Sequence, residues 1–417
     1  MAAKKRLVIV DLVRIILALV FIFSGFVKAV DPWGTAIKLG DYFAAFGMSW
    51  LEGGKFVFSV VLSSLELLLG LLLLFNLKVK GASFFVALFM LFFTILTLII
   101  ALTNPVADCG CFGDAVKLTN WETFLKNIIL FPLSVLLFMS VVREGAHFPV
   151  SNGREWLLVI LLAVFSSSIG IYSTSHLPVI DFLPYKTGVN IPHAMAIPED
   201  ADLGEYRTTL IYRDIETGDL TEFAVEDTTW YDTTRWEFVD SRSVEISRGY
   251  EPMIGEFSIF GPDGNVTLDI LNDEQEVYIF VLTELAEMTE RDYTEVKKIT
   301  GFAETNGGRT IYVTSSPLGN FPGFERRGID IEGYNMDATL MKMFLRARKG
   351  LVVMDRGTIL AKWNIKDIPS LSKLGDTTVK DYVVTKQRKD SVKEFFIFYG
   401  VILLFLLVFR RSLCRRR

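Results

Sequence analysis

Six long apolar stretches dominate this sequence and decide what kind of fold it can adopt. A transmembrane helix needs about 20 mostly apolar residues to cross a hydrocarbon core about 30 Å thick. The six stretches that meet this requirement cover roughly residues 7–29, 55–76, 81–103, 123–142, 155–174 and 393–409. We therefore predict a membrane protein with six transmembrane helices in contact with lipid.

The sequence between the fifth and sixth stretches has a different composition. Across all 417 residues, 51% are hydrophobic and 22% are charged, a balance that argues against a disordered chain or an ordinary soluble enzyme. Residues 175–391, however, carry 24 Lys and Arg against 37 Asp and Glu, a net charge of −13. Phosphate contacts need clustered cations, so we expect no nucleic-acid partner for this segment.

Lysines and arginines near the ends of the apolar stretches predict the orientation in the membrane. Twelve of them lie in one set of termini and loops, whereas the opposite short loops, 31–54 and 104–122, hold only Lys38 and Lys117. The positive-inside rule then places both termini in the cytoplasm and residues 175–391 in the periplasm, in a multi-pass protein of the bacterial inner membrane. Cys414 falls on the cytoplasmic side, as a free thiol or an acylation site.

Three charged residues lie within the predicted spans, where charges are costly and usually paired or functional. A rise of 1.5 Å per residue, counted from the outer helix ends, puts Arg14 about 22 Å deep and Glu66 about 16 Å deep. We predict an Arg14–Glu66 ion pair that is either structural or part of a proton- or quinone-linked site. Lys28, near the outer end of the first span, is expected to extend to the interface.

Two cysteines, Cys109 and Cys111, stand one residue apart in the loop between the third and fourth stretches. This loop falls on the predicted outer side, where disulfides form and persist. A disulfide closed over a single residue is strained and easily reduced, which favours a redox-active pair. A structural pair is the alternative, and a metal site has little support because no histidine is nearby. Asp108 and Asp114 are expected to raise the pKa of the thiols.

Three motifs resemble a known family of membrane proteins. The first span, from Arg14 to Lys28, and the Leu-Glu-Leu-Leu-Leu-Gly of the second span are similar to DoxX-like four-helix proteins. The loop Asp-Cys-Gly-Cys-Phe-Gly-Asp at 108–114 resembles the MauE-like branch, named for methylamine utilisation. The resemblance covers about residues 7–145. It implies a helper of periplasmic disulfide formation in which Cys109 and Cys111 are the catalytic pair.

The acidic segment predicts an extended, β-rich connector followed by an α/β domain. The α/β part has a buried strand at 276–283, a helix at 289–307, a strand at 309–314, a helix at 337–346 and a hairpin at 351–363. This order resembles a thioredoxin-like domain of the TlpA type. Thr-Glu-Leu-Ala-Glu-Met stands where that family has its Cys-x-x-Cys, and Lys349-Gly350 stands where it has a cis-proline. A domain without thiols cannot exchange disulfides.

The predicted architecture is a transmembrane helical bundle joined to a degenerate thioredoxin-like domain. Its parts are the DoxX/MauE-like bundle (1–145), a fifth transmembrane helix (146–175), the exoplasmic β-rich connector (176–250), the thioredoxin-like domain (251–390), and a C-terminal transmembrane helix with a basic tail (391–417).

The function that we predict is an accessory role in exoplasmic thiol–disulfide redox, or in the maturation of envelope proteins, through Cys109 and Cys111. Such a protein is at most a membrane thiol–disulfide oxidoreductase, and its partner is an exoplasmic client or a thioredoxin-like protein. The chain has no second cysteine pair, so a quinone or another protein would complete the electron relay. The alternatives are a non-enzymatic envelope scaffold and, with less support, a transporter, because no inverted repeat is visible.

Overall fold

A computed structural model describes residues 2–106, 108–143, 153–202, 205–247, 249–318, 323–369, 393 and 396–402. Five helices in these ranges are long and apolar enough to cross a membrane: Val8–Val30, Ser49–Leu74, Val79–Thr103, Asn120–Arg143 and Glu155–Ser175. They correspond to the first five predicted spans. The sixth predicted span, 393–409, lies mostly outside the described residues, as does Cys414.

The N-terminal region is entirely helical apart from its connections. Its helices are α1 (Ala2–Val30), α2 (Pro32–Ala45), α3 (Lys55–Leu74), α4 (Val79–Thr103), α5 (Asn120–Arg143) and α6 (Gly153–Ser175). The short helix α2 is absent from the sequence prediction, although its signal is clear in retrospect. Asp31 accepts a hydrogen bond from the Gly34 amide (2.9 Å) as the N-cap, and Pro32 occupies the first helical position, the usual place for proline in a helix.

Helices α1 and α3 touch backbone to backbone because glycines lie at their crossing. A Cβ atom on Gly25 would overlap the backbone nitrogen of Leu67 and lie 2.8 Å from its Cα. A Cβ on Gly70 would lie 2.7 Å from the backbone nitrogen of Ile22. Small residues allow this close approach in membrane helices. The contact also fixes the register, so that the last turns of α1 lie beside the middle of α3.

Residues Asn190–Phe257 form a compact unit of their own. It contains the short helix α7 (Ile191–Met195) and the strands β1 (Glu205–Asp214), β2 (Leu220–Ala224) and β3 (Trp236–Ser247), paired antiparallel in the order β2-β1-β3. Tyr212 packs edge-on against Phe223 and Phe238. The β layer expected for this part of the chain is therefore a three-stranded sheet with an aromatic cluster on one face.

The region that follows this unit is a mixed α/β domain. Its strands are β4 (Phe260–Gly261), β5 (Gly264–Asn265), β6 (Glu276–Leu282), β7 (Arg309–Thr314), β8 (Glu332–Asn335), β9 (Lys349–Asp355) and β10 (Thr358–Asn364), and its helices are α8 (Thr267–Leu271), α9 (Glu290–Thr305) and α10 (Ala338–Phe344). The sheet order is β10-β9-β6-β7-β8-β4-β5. Strands β6, β7 and β8 are parallel, and β9 is antiparallel to both β6 and β10.

This arrangement confirms the predicted fold class, a helical membrane bundle followed by a thioredoxin-like α/β domain. Strand β6 is buried along almost its whole length, as its unbroken apolar sequence predicts for a central strand. A capping box between Thr289 and Asp292 starts α9. Among the elements of this domain that the sequence prediction omits are the short helix α8 and strand β8. Strand β8 gives a weak signal because only Tyr334 of its four residues is both apolar and buried.

The segment that follows α6 ties the sheet to the membrane bundle. The Ile359 amide of β10 donates to the Val189 carbonyl (2.9 Å), and the Gly188 amide donates back to the Ile359 carbonyl (2.7 Å). Lys362 on the same strand forms an ion pair with Asp181 (2.9 Å). These contacts fix the edge of the sheet close to the end of the fifth span.

Candidate functional site

Cys109 and Cys111 lie in the connection between α4 and α5. Both are free thiols, and their Sγ atoms lie 2.9 Å apart. Gly110 has a φ of +64° and Gly113 a φ of +53°, conformations that glycine adopts without strain. They let the chain fold back so that both sulfur atoms meet. A disulfide bond is about 2.05 Å long, so a small movement is enough to close it.

Helix α2 holds the outer part of this connection. Lys38 forms an ion pair with Asp108 (2.7 Å), and the Tyr42 hydroxyl donates a hydrogen bond to the Cys109 carbonyl (2.9 Å). The Cys109 side chain is buried. The connection 108–114, which we call the cysteine loop, is therefore packed against α2 rather than extended into solvent.

Helices α1 and α3 hold the cysteine loop from beneath through a buried charge network. The Ser24 hydroxyl lies 2.7 Å from Glu66 Oε2 and 2.8 Å from the Cys111 carbonyl oxygen, so it can donate to either acceptor. Lys28 Nζ donates to both Glu66 oxygens, at 2.6 and 2.7 Å. The Lys28 and Glu66 side chains are only 6% and 3% exposed. Lys28 and Glu66 therefore form a buried ion pair between α1 and α3.

Arg14 does not take part in this network. Its guanidinium lies 3.1 Å from Asp11 Oδ1 and 2.6 Å from the Leu73 carbonyl oxygen, at the far end of α3. The predicted Arg14–Glu66 ion pair is therefore wrong. The expectation that Lys28 extends to the interface is also wrong, because its ammonium group is turned inward to Glu66.

The error has a geometric cause. The depths of Arg14 and Glu66 in the membrane were counted from the outer ends of α1 and α3, as if both ends lay at the same level. Helix α2 connects the two helices, and α3 begins further out than the level at which α1 ends. The contact of Gly25 with Leu67 sets Glu66 beside the last turns of α1. Arg14 then lies about 18 Å away along the helix axis, too far for a direct contact.

A cavity of about 40 Å³ lies inside the bundle next to Cys111. Its polar wall contains Ser24, Lys28, Glu66, Lys126 and Asn127, and its apolar wall contains Val20, Phe21, Phe89, Met90, Phe93, Phe112 and Leu130. A cavity of this size and polarity has room for water or a small polar group. Cys111 therefore faces the interior of the membrane domain.

Lys126 and Asn127 are site residues that the sequence prediction missed. The Asn127 amide donates to the Thr97 hydroxyl (3.1 Å), and Lys126 Nζ lies 4.3 Å from the centre of the Phe112 ring. Their signal was a lysine and an asparagine together in the first turns of an apolar helix, a position that marks intramembrane polar sites.

Comparison with known proteins bears on this region directly. Residues 6–140 match the model of the family described as methylamine utilisation protein MauE. Residues 6–140 therefore form a domain that matches the MauE family, and we call them the MauE domain. The matched range contains α1 from Arg6 onward, α2 to α4, the cysteine loop and most of α5, and so includes Lys28 and Glu66. The resemblance inferred from the sequence motifs is thereby confirmed.

A relative among curated proteins also matches. Over 155 residues, 36% of this chain, the sequence is 30% identical to Protein TlpB of Flavobacterium psychrophilum. The aligned region covers 42% of the length of that relative, so the chain spans less than half of it. No solved structure matches the chain.

The two thiols of the MauE domain differ in their acidity. The hydrogen bond that Cys109 gives to Cys111 lowers the pKa of Cys111 to about 6, and the positive charges of Lys126 and Lys28 act in the same direction against burial. The same hydrogen bond, together with burial, raises the pKa of Cys109. Cys111 is therefore the more acidic of the two thiols.

The expectation that Asp108 and Asp114 raise the pKa of both thiols is wrong for Cys111. Asp108 is neutralised by Lys38 (2.7 Å), and Asp114 is paired with Arg346 of the thioredoxin-like domain. The charges that act on the pKa of Cys111 are instead Lys126 and Lys28, which lower it, and Glu66, which raises it.

We expect Cys111 to react as a thiolate far below the pH at which ordinary cysteines do. In protein carrying Cys414→Ser, the rate of alkylation at Cys111 rises with pH and reaches half its maximum near pH 6, whereas a free cysteine does so near about 8.5. Mass spectrometry after a timed iodoacetamide pulse measures this rate. Cys109→Ala moves the midpoint upward, because it removes the hydrogen bond. A midpoint above about 8 in the parent protein contradicts the assignment.

The thioredoxin-like domain has no thiol at the end of β6, the position at which the resemblance to TlpA-type domains implies a Cys-x-x-Cys. Residues Leu285–Glu287 form a 3-10 turn there, and Leu285 is buried. Lys349 closes the same end by pairing with Asp292 (2.6 Å) and donating to the Glu287 carbonyl (3.0 Å). Within the part of the chain that the structure describes, no cluster of three or more His, Cys, Asp or Glu could hold a metal ion.

Proposed function

We propose that this protein is a membrane thiol–disulfide accessory that exchanges disulfides with exoplasmic proteins through Cys109 and Cys111. The observation that carries the proposal is the pair of free thiols 2.9 Å apart, one buried and one facing a charged cavity of the MauE domain. A structural cysteine pair needs neither a charged cavity beside it nor two thiols of different acidity.

The chemistry can be written as ordinary exchange. The Cys111 thiolate attacks a disulfide of the client, forming a mixed disulfide and releasing one client thiolate, which takes up a proton. Cys109 then loses its proton and attacks the Cys111 sulfur, which releases the second client thiol. The client disulfide is reduced and the Cys109–Cys111 disulfide is formed. The reverse sequence oxidises a client dithiol.

Turnover needs a second redox partner. Each cycle leaves two electrons to be supplied or removed, and the thioredoxin-like domain has no thiol to carry them. A separate dithiol protein or a quinone would complete the relay, as the absence of a second cysteine pair in the sequence suggests.

This function fits a topology in which both termini are cytoplasmic and the cysteine loop and residues 175–391 are periplasmic. Twelve cations on one side of the spans against two on the other support this orientation. The periplasm is also the compartment in which a disulfide can persist.

A second candidate is a non-enzymatic envelope scaffold. The burial of Cys109, which is only 7% exposed, favours it, as does the loss of thiols from the thioredoxin-like domain. In that case the cysteine pair stabilises the loop and has no client.

Single cysteine variants separate these candidates, because the two thiols have different roles. In cells that carry Cys414→Ser as the background, Cys109→Ser is expected to accumulate mixed disulfides, since the attacking thiol remains and the resolving thiol is lost. Cys111→Ser is the matched control and accumulates few. Non-reducing gels and mass spectrometry of the trapped species measure the difference and identify the client. If neither variant traps a partner and the parent pair stays in one redox state, the scaffold is correct.

A further inference from the structure

Arg346 of the thioredoxin-like domain reaches the cysteine loop. Arg346 lies in the turn between α10 and β9, and its side chain is only 6% exposed. Its guanidinium donates to Asp31 Oδ2 (3.1 Å), to Asp114 Oδ2, and to the carbonyl oxygen of Lys342 (3.2 Å). Asp31 joins α1 to α2, and Asp114 ends the cysteine loop.

This turn is at the end of the sheet where thioredoxin relatives carry their thiols. The Thr283 amide, directly after β6, donates to the Arg348 carbonyl two residues beyond Arg346 (3.0 Å). Lys349, which starts β9, pairs with Leu282 at the end of β6. The degenerate end of the domain is therefore the end that faces Cys109 and Cys111.

The two carboxylates that flank the cysteines are held from opposite sides. Lys38 of α2 binds Asp108, and Arg346 binds Asp114. A charged group with low exposure is costly to leave unpaired, so the loop keeps this conformation as long as both partners stay in place. Of these two partners, Arg346 is the one that belongs to the thioredoxin-like domain rather than to the membrane helices.

We propose that the thioredoxin-like domain binds the cysteine loop of its own chain, and that Arg346 is the positioning residue that keeps the loop closed against large thiol reagents and protein partners. The inference rests on the proposed function, because it describes how access to that same cysteine pair is controlled. When Arg346 releases Asp31 and Asp114, this end of the domain separates from the cysteine loop, and the loop becomes accessible to a macromolecular partner.

The test measures access to the thiols in the full chain. Reduced protein carrying Cys414→Ser in lipid nanodiscs is treated with a polyethylene-glycol maleimide and, separately, with N-ethylmaleimide. Arg346→Ala is expected to increase the rate of labelling by the polymer reagent at least about tenfold, since it removes two charge-assisted hydrogen bonds. Arg346→Lys is expected to restore much of the protection. The rate under these conditions reports the population of the open form.

Arg348→Ala is the matched control. Arg348 lies in the same turn but pairs with Glu287 at the surface, with its side chain 54% exposed, and its loss is expected to change the rate less than about twofold. Equal rates in Arg346→Ala and the parent overturn the proposal. Equal acceleration by Arg348→Ala, or equal acceleration of both reagents with a lower melting temperature, also overturns it, because general loosening then explains the result.

Asp114→Asn provides a second route if Arg346→Ala fails to fold. It weakens the same contact from the side of the loop and is expected to accelerate the polymer reagent in the same way. The assay uses no client, so its outcome is separate from that of the trapping experiment. If the thiols never cycle in cells, the proposed function is wrong, but the labelling result still stands. If the labelling rates do not change, the role of Arg346 is wrong, but the proposed function still stands.

Discussion

Replacing Lys28 with methionine is expected to destabilise the MauE domain by about 3–5 kcal/mol. The substitution leaves Glu66 buried at 3% exposure without the ammonium group that now contacts both of its oxygens. Removing one partner of a buried ion pair costs this much because the remaining charge is neither solvated nor compensated. Unfolding in a fixed detergent, followed by circular dichroism and by the reactivity of buried cysteines, measures the change.

Two further variants make this prediction specific. The double variant Lys28→Met/Glu66→Leu is expected to recover most of the lost stability, because it replaces the pair with apolar groups of similar size. Lys55→Met is the matched control, since Lys55 pairs with a Glu52 side chain that is 49% exposed, and such pairs contribute less than about 1 kcal/mol. A double variant as unstable as the single one contradicts the explanation.

Gly25→Ala is expected to separate α1 from α3 and to cost about 3 kcal/mol. The new methyl group would overlap backbone atoms of Leu67, which cannot move aside as a side chain can by changing its rotamer. Overpacking against a rigid neighbour forces a shift of the whole helix. That shift would also move Ser24 and Lys28 relative to Glu66, so we expect altered reactivity at Cys111 as well as lower thermal stability.

Gly81→Ala is the control for this second prediction. Gly81 lies in the first turn of α4, and a Cβ there would meet no atom within 4 Å. Alanine has a higher helix propensity than glycine by about 1 kcal/mol, so this variant is expected to be as stable as the parent or slightly more so. If Gly25→Ala unfolds at the same temperature as Gly81→Ala, the helices do not depend on this close contact.

The elements that sequence reasoning recovered are those with strong local signals. Long apolar stretches identified five spans, and the unbroken apolar sequence of β6 identified a central strand of the sheet. Helix α2 was not predicted although Asp31-Pro32 is a good start signal for a helix. Its sequence mixes polar and apolar residues, so its hydropathy does not distinguish it from a loop. Strand β8 was missed because only one of its four residues is apolar and buried.

The candidate site shows a different limit. Cys109 and Cys111 are neighbours in the sequence, so their juxtaposition could be predicted. The partner of Glu66 could not be predicted, because it depends on how far α3 is displaced along α1. The contact of Gly25 with Leu67 sets this displacement. The contact of Arg346 with Asp31 joins residues 315 positions apart in the sequence. Periodicity and motifs are local patterns and do not predict a contact between such distant residues.

The charges around the cavity have a consequence for the direction of electron flow. The cavity is lined by two lysines and one carboxylate besides Cys111. A thiolate at Cys111 makes these charges equal in number, whereas a disulfide leaves one lysine without a counterion in a region of low dielectric. The surroundings therefore stabilise the reduced pair. A dithiol that is stabilised in its reduced form gives a strongly oxidising disulfide. If the proposed function is correct, we therefore expect the reverse exchange, the oxidation of client dithiols, to be the favoured direction.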